Sequence, residues 1–290
     1  MPDSRKPILQ SYLALGVGVV CLGLSAIFVR WANAPGAVTS FYRVAIAVVA
    51  MAWPFYRRVK SLNSLPRRGV LLALLGGLFF AADLAFWTTG VMMSGATNPT
   101  LLANTAPLWV GLGALILFRE KLNLKFWAGL LLAMSGAILI LGLDSLQSVS
   151  IGAGTLFGLL AGLFYGGYFL ITQQGRRSLD SLTYFWPAAL SSTLSLFVLV
   201  LVLNQPLTGY PVTTYLNFFA IGLITQVLGY LVINYALGYL PASIVSPTLL
   251  GQPVVTAILA GPLLGEVLSV WQFIGGVAVL VGVYVVHRSR

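Results

Sequence analysis

One stretch of the sequence occurs twice. From Thr100 the chain runs through Asn104, Pro107 and Trp109 to the charged break Phe118-Arg119-Glu120-Lys121-Leu122, then through an apolar run holding Gly129 and Gly136. At an offset of 146 residues, without a gap, Pro253 answers Pro107, Glu266 answers Glu120, Leu268 answers Leu122, and Gly275 and Gly282 answer Gly129 and Gly136. Proline and glutamate are both rare beside long apolar runs, so sharing both at one offset marks a duplication. The first parts of the copies match more weakly at an offset of 144, through Gly18/Gly162, Gly23/Gly167, Thr39/Thr183 and Phe41/Phe185. The copies are read as 1–146 and 147–290.

Each copy reads as five hydrophobic segments. They fall at about 11–31, 37–55, 70–93, 96–118 and 122–143, and then at 151–172, 182–203, 214–238, 242–264 and 270–286. Each is near the ~20 residues a helix needs to cross ~30 Å of hydrocarbon. Only 8% of residues are charged, against roughly 25% in a soluble domain. The expected fold is an all-α integral membrane protein of ten transmembrane helices, its first span retained and its linkers too short for a soluble domain. The net charge of +10 does not point to nucleic acid, because the basic residues sit in short clusters between apolar runs, without a basic helix face. Cys21 and His287 are the only residues of their kinds, so neither a disulfide framework nor a His/Cys metal site is expected, and no cofactor.

Orientation follows from the cations. With the N-terminus in the cytoplasm, 14 of the 16 lysines and arginines fall on the cytoplasmic side, in Arg5/Lys6, the 57–68 cluster, Arg119/Lys121/Lys125, Arg176/Arg177 and Arg288/Arg290. Arg30 lies at the outer end of the first span and Arg43 within the second. Both termini are then cytoplasmic, in a cell (inner) membrane. Because five is odd, the second copy must enter the bilayer in the opposite sense. The loop FREKLNLK carries cations, and its counterpart LGEVLSVW keeps the glutamate and loses them all, as an external loop should. Inverted repeats suit alternating access, since two similar bundles can exchange conformations around one midplane site.

Ten spans in two halves, each with a proline in its fourth span and a glutamate 13 residues on, resemble the EamA family of the drug/metabolite transporter superfamily. The resemblance covers nearly the whole chain. It implies a transporter of small metabolites and, in the YddG-type branch, export of aromatic amino acids. The small multidrug branch carries a proton-coupling glutamate in its first span, and this chain has no acid there.

Several residues are candidates for binding a substrate. Arg43 and Asp83 are the only deep charges, roughly 9 Å and 15 Å below the outer ends of their spans at 1.5 Å per residue, and a charge at the bilayer centre costs on the order of 2.5 to 3.5 kcal/mol. They read either as an ion pair fixing the second span to the third or as groups that meet a carboxylate, an ammonium or a proton. Trp87 lies one helical turn from Asp83. Prolines 107, 247 and 253 interrupt helical hydrogen bonding beside polar Asn104 and Thr105 in one copy and Thr248 and Gln252 in the other, at equivalent depths. They read as kinks or as a cavity. Tyr42, Tyr165, Tyr168, Trp186 and Tyr235 lie within spans, whereas Trp31, Trp53, Trp127 and Trp271 sit near span ends as headgroup anchors. Gly154, Gly158, Gly162 and Gly166 mark a helix-packing face, and Gly129/Gly136 and Gly275/Gly282 two more.

The expected function is secondary transport of small amphipathic metabolites, neutral or aromatic amino acids foremost, out of the cell. The alternatives are an organic-cation exporter of the same superfamily or a channel. An enzyme is not expected, for want of a histidine or nucleophile pair within the spans. Partners are the small-molecule substrate and the lipid bilayer, with no nucleic acid. The oligomeric state stays open, a homodimer included.

Overall fold

The computed structural model describes residues 5–62, 64–94, 97–141 and 152–289. The repeat junction at 146/147 and Arg290 lie outside the described residues. Those described form helices and short connections, without a strand. In chain order they are α1 (Arg5–Ala32), α2 (Gly36–Lys60), α3 (Arg67–Ser94), α4 (Thr97–Ala103), α5 (Ala106–Leu117), α6 (Leu124–Leu141), α7 (Ala153–Gly175), α8 (Ser181–Val202), α9 (Val212–Ala220), a π-helical segment (Ile221–Gly229), α10 (Tyr230–Ala236), α11 (Ala242–Thr248), a 3₁₀ turn (Leu249–Gly251), α12 (Gln252–Leu264) and α13 (Val270–Arg288). They make 10 spans long and apolar enough to cross a membrane. This is an all-α, multi-pass membrane protein. Large apolar side chains such as Ile116, Val198, Leu216 and Phe273 are exposed along the helices, as lipid-facing surface requires.

Three of the ten spans depart from a plain α-helix. The fourth and ninth break at Asn104–Thr105 and at Leu249–Gly251, which are repeat-equivalent positions. In both, a proline lies in the first turn of the second segment, Pro107 in α5 and Pro253 in α12. Proline is tolerated there and not in a helix interior, so the chain ends one helix and starts another. The eighth span winds through nine π-helical residues, a departure for which hydropathy carries no signal.

The described chain packs as two compact units, each drawing on both copies. One comprises Met1–Ala81 and Ile171–Pro241, the other Ala82–Leu170 and Ala242–Arg290. In the first unit α2 and α8 run antiparallel: Phe41 meets Phe197, while Trp186 stacks on Phe55 and donates its indole N–H to the Val48 carbonyl at 3.0 Å. Hydroxyls bind α8 to α3, Ser191 donating to Leu74 O and Ser192 to Gly77 O. Asp180 caps α8 by accepting from Thr183 N–H at 2.9 Å, and it bonds Arg58 Nε at 2.7 Å.

In the second unit α6 lies against α13, its counterpart in the repeat. A Cβ added to Gly129 would come within 2.8 Å of Gly282 O, and one added to Gly136 within 2.5 Å of Gly275 O. Only glycine permits that approach. The pairing is antiparallel and maps onto itself when the copies are exchanged, because Gly129 corresponds to Gly275 and Gly136 to Gly282. The α7 glycines behave as their spacing predicts: Gly154 faces Ser94, Gly158 faces Pro99, Gly162 faces Thr105 and Gly166 faces Trp109.

Candidate substrate site

The two helix breaks meet at one cavity in the second unit. Ala103, Asn104 and Ala106 line it from the fourth span, and their counterparts at the 146-residue offset, Leu249, Leu250 and Gln252, line it from the ninth. Pro107, Tyr165, Phe169 and Ser246 complete the lining. Three pairs of residues related by the 146-residue offset therefore line one cavity. Its water-accessible space is about 20 Å³, room for a water or so. A second cavity of about 40 Å³, largely apolar, is also lined by Asn104, together with Leu101, Met134 and Leu141.

The lining offers neutral hydrogen-bonding groups. Pro107 has no N–H for the Ala103 carbonyl, and Leu108 N–H closes on Thr105 O at 2.9 Å rather than on Asn104 O. Ala103 O and Asn104 O thus lose their usual helical donors at the break, and the Ala103 carbonyl lies toward Gly162 of α7. The Ser246 hydroxyl is buried, with residue exposure of 2%, and among the described residues no group bonds it. Such a group calls for water or a ligand. Thr105 is occupied locally, donating to Leu102 O and accepting from the Trp109 indole N–H.

Of the sequence candidates in this unit, Asn104, Pro107, Tyr165 and Gln252 line the cavity. Tyr168 is buried and lies nearly parallel to Tyr165, with ring centroids 6.3 Å apart. Trp87 donates its indole N–H to Thr100 Oγ1 at 3.0 Å, and Asp83 is buried. Thr248 turns away from the cavity lining: its hydroxyl donates to Ile244 O at 2.7 Å and stands 2.8 Å from His287 Nε2, so that nitrogen must donate. Among the described residues no three His, Cys, Asp or Glu side chains gather as a metal site.

The remaining candidates belong to the first unit. Arg43 is buried and donates Nε–H to Gln226 Oε1 at 3.0 Å, with its guanidinium 6.0 Å from the Phe80 ring centre and 5.8 Å from that of Tyr230. Its side-chain partner here is thus a neutral amide carried by the π-helical segment. Tyr42 bonds Leu207 O at 2.7 Å and stacks on Phe218, and Tyr235 bonds Gln10 Oε1 at 3.3 Å. Together with Trp186 on Val48 O, these rings have structural partners.

The profile of the EamA-like transporter family matches residues 9–142 and again 152–288. The chain belongs to the EamA-like transporter family. Relatives agree in kind. The uncharacterized transporter YyaM of Bacillus subtilis (strain 168) is 25% identical over 83% of this chain and 80% of its own. YetK of the same strain, also described as an uncharacterized transporter, is 25% identical over 97% and 87%. An uncharacterized transporter of Methanothermobacter thermautotrophicus is 26% identical over 80% and 68%. One solved crystal structure shares the fold, with a TM-score of 0.78 over 97% of both chains at 16% identity. The protein is a transporter of the drug/metabolite transporter superfamily.

In this EamA-like transporter, sequence reasoning misses Ser246, Phe169 and Gln226. Ser246 carries a weak signal in hindsight, as a polar residue directly before Pro247 and one turn before the break. Gln226 is the only glutamine deep within an apolar run of the first unit's eighth span, which itself asks for a partner. Phe169 has no signal beyond being four residues from Tyr165.

Proposed function

We propose that this transporter exports small amphipathic metabolites, neutral and aromatic amino acids foremost, by alternating access at a cavity near the midplane of the cell (inner) membrane, with both termini cytoplasmic. One observation carries the reading: three repeat-equivalent residue pairs from two broken spans line one cavity. Secondary transporters place substrate where discontinuous helices of inverted repeats meet, because the free backbone groups there can bind a ligand without exposing unsatisfied groups to lipid. Backbone carbonyls that lose their helical donors at a break would suit an ammonium. Asn104, Ser246 and Gln252 can turn donors or acceptors toward either polar end, and Tyr165 offers a ring face to an apolar side chain. A cavity whose lining includes no acidic side chain is poorly matched to an organic cation.

The test is uptake of labelled phenylalanine and methionine into proteoliposomes, competed with other amino acids, hydrophobic ammonium compounds and a nucleotide sugar. Saturable uptake, competed only by amino acids and cut about 5- to 30-fold by Asn104→Ala or Gln252→Ala with folded yield intact, supports the reading, since a lost buried hydrogen bond costs about 1–2 kcal/mol. Competition by the ammonium compounds with no transport of any neutral amino acid would sink it.

A further inference from the structure

The last turns of α2 carry different chemistry on their two faces. With 25 residues, α2 is about 37 Å long, against ~30 Å of hydrocarbon, so its C-terminal end emerges among lipid headgroups. One face is packed. Phe55 stacks on Trp186 of α8 with ring centroids 4.4 Å apart, and Arg58 Nε donates to Asp180, the cap of α8, at 2.7 Å. At 3.6 residues per turn the opposite face carries Val49, Trp53, Tyr56, Arg57 and Lys60, within an arc of about 100°. All five are exposed, Val49 to 77%, Trp53 to 62% and Tyr56 to 56%.

Along this stripe the chemistry changes with depth. Val49 is apolar, Trp53 and Tyr56 join an apolar ring to a polar edge, and Arg57 and Lys60 are cations. The rise from Val49 to Lys60 is roughly 16 Å, enough to run from acyl chains through the interfacial layer to the phosphates. Trp53 and Tyr56 stack, with centroids 6.0 Å apart, and the Arg57 guanidinium stands 5.2 Å from the Trp53 ring centre. A guanidinium seated on an indole face keeps its N–H edge for an oxyanion, which a phosphate can meet with two oxygens. Between Asp3 and Asp83 the sequence has no acid, and Asp180, brought in from α8, is bonded to Arg58 on the packed face. Arg67 and Arg68, exposed at the start of α3, add two further cations. The stripe is thus complementary to an anion that carries acyl chains.

We propose that this stripe of α2 seats an anionic phospholipid, its phosphate held by Arg57 and Lys60 and an acyl chain lying along Trp53 and Val49. Headgroup charge decides the choice of lipid, because a zwitterionic headgroup brings an ammonium that the same cations repel. Since Phe55 and Arg58 tie the same turns to α8, a lipid bound on the other face braces that contact, and occupancy registers as thermal stability. The proposal needs neither a particular substrate nor alternating access.

The test is lipid titration of the full chain in a non-ionic detergent, with bound lipid counted by native mass spectrometry and stability followed by thermal melts. Phosphatidylglycerol should bind at least ~10-fold more tightly than phosphatidylcholine of the same acyl chains, and it alone should raise the melting temperature. Arg57→Gln and Lys60→Gln should each weaken phosphatidylglycerol about fivefold, and together about 30-fold, the loss expected per cation at an anionic lipid. Arg57→Lys, which keeps the charge, should retain most of the affinity, and Trp53→Leu, which leaves the charge alone, should lose several-fold. Lys121→Gln/Lys125→Gln removes the same charge elsewhere and should change binding less than about twofold. Equal affinity for the two lipids overturns the proposal, as does an equal loss in the 121/125 variant. Displacement of the lipid by glycerol 3-phosphate at matching concentration also overturns it, by making the site one for a soluble phosphate. Comparing the two lipids on the unaltered protein requires no variant, so a misfolded variant leaves the test standing.

Discussion

Gly282→Ala should loosen the contact between α6 and α13 by an amount its geometry sets. The new Cβ would lie 2.6 Å from Gly129 O, and closer still to Ala133 N, where carbon in ordinary contact keeps about 3.5 Å. Both obstacles are backbone atoms of a regular helix, so no side chain can swing aside. The helices must part by roughly 1 Å, and a gap of that size forfeits a quarter to a half of the attraction between facing atoms. Overpacking of this kind costs about 1–3 kcal/mol, or roughly 3–10 °C in the melting temperature of a chain this long. Thermal unfolding in detergent, followed by tryptophan fluorescence and by monodispersity after heating, measures it. Gly136→Ala should cost about the same, since its Cβ would meet Gly275 O at 2.5 Å in the repeat-equivalent place. Together the two should cost less than their sum, because helices already parted by one methyl leave room for the other. Gly276→Ala is the control, its Cβ meeting nothing nearer than Val254 Cγ1 at 3.7 Å. A Gly282→Ala protein that melts with Gly276→Ala would refute the close-contact argument.

Two more predictions concern polar anchors of the first unit. Gln226→Leu should destabilise by about 1–2 kcal/mol through a stranded Arg43 guanidinium, and adding Arg43→Met should recover most of it; a single variant as stable as wild type in the same melt removes Gln226 as the partner. Asp180 titrates below its ordinary 3.8: burial would raise it, but hydrogen bonds from Thr183 and Arg58 and the Arg58 charge outweigh that. A group depressed on folding stabilises above its unfolded value and loses that contribution as pH falls through the folded one. Asp180→Ala should therefore melt about 1 kcal/mol less stably at pH 7, through the lost cap, with the gap closing as the pH falls below the ordinary carboxylate value of 3.8; a gap independent of pH contradicts the assignment.

Much of the architecture is written in local chemistry. A run of ~20 apolar residues can satisfy its backbone in lipid only as a helix, so the spans follow from composition along the chain. The helix breaks are equally local, because Pro107 and Pro253 withhold an N–H wherever the helix is packed. Asn104, Pro107 and Gln252 reach the cavity because a break and its polar neighbours are adjacent in sequence, whereas Tyr165 is brought to it by the packing of α7. Duplication, too, survives in the order of residues.

Facing is another matter. Hydropathy assigns a side chain to a span and is silent on which neighbour it meets. Ser191, Ser192 and Ser246 are alike as sequence, yet packing spends the first two on the carbonyls of Leu74 and Gly77 and leaves the third at a cavity with no protein partner. Arg43 announces that it needs a partner, and only the winding of the π-helical segment brings Gln226 to it, 183 residues away. The repeated glutamate is visible from sequence, but the hydrogen bond of Glu120 to Ser243 exists because two broken spans from different copies are folded side by side. Sequence determined the elements and where they break; tertiary packing decided which polar groups were left over for function, since a buried hydrogen bond belongs to whichever two groups the fold brings within 3 Å.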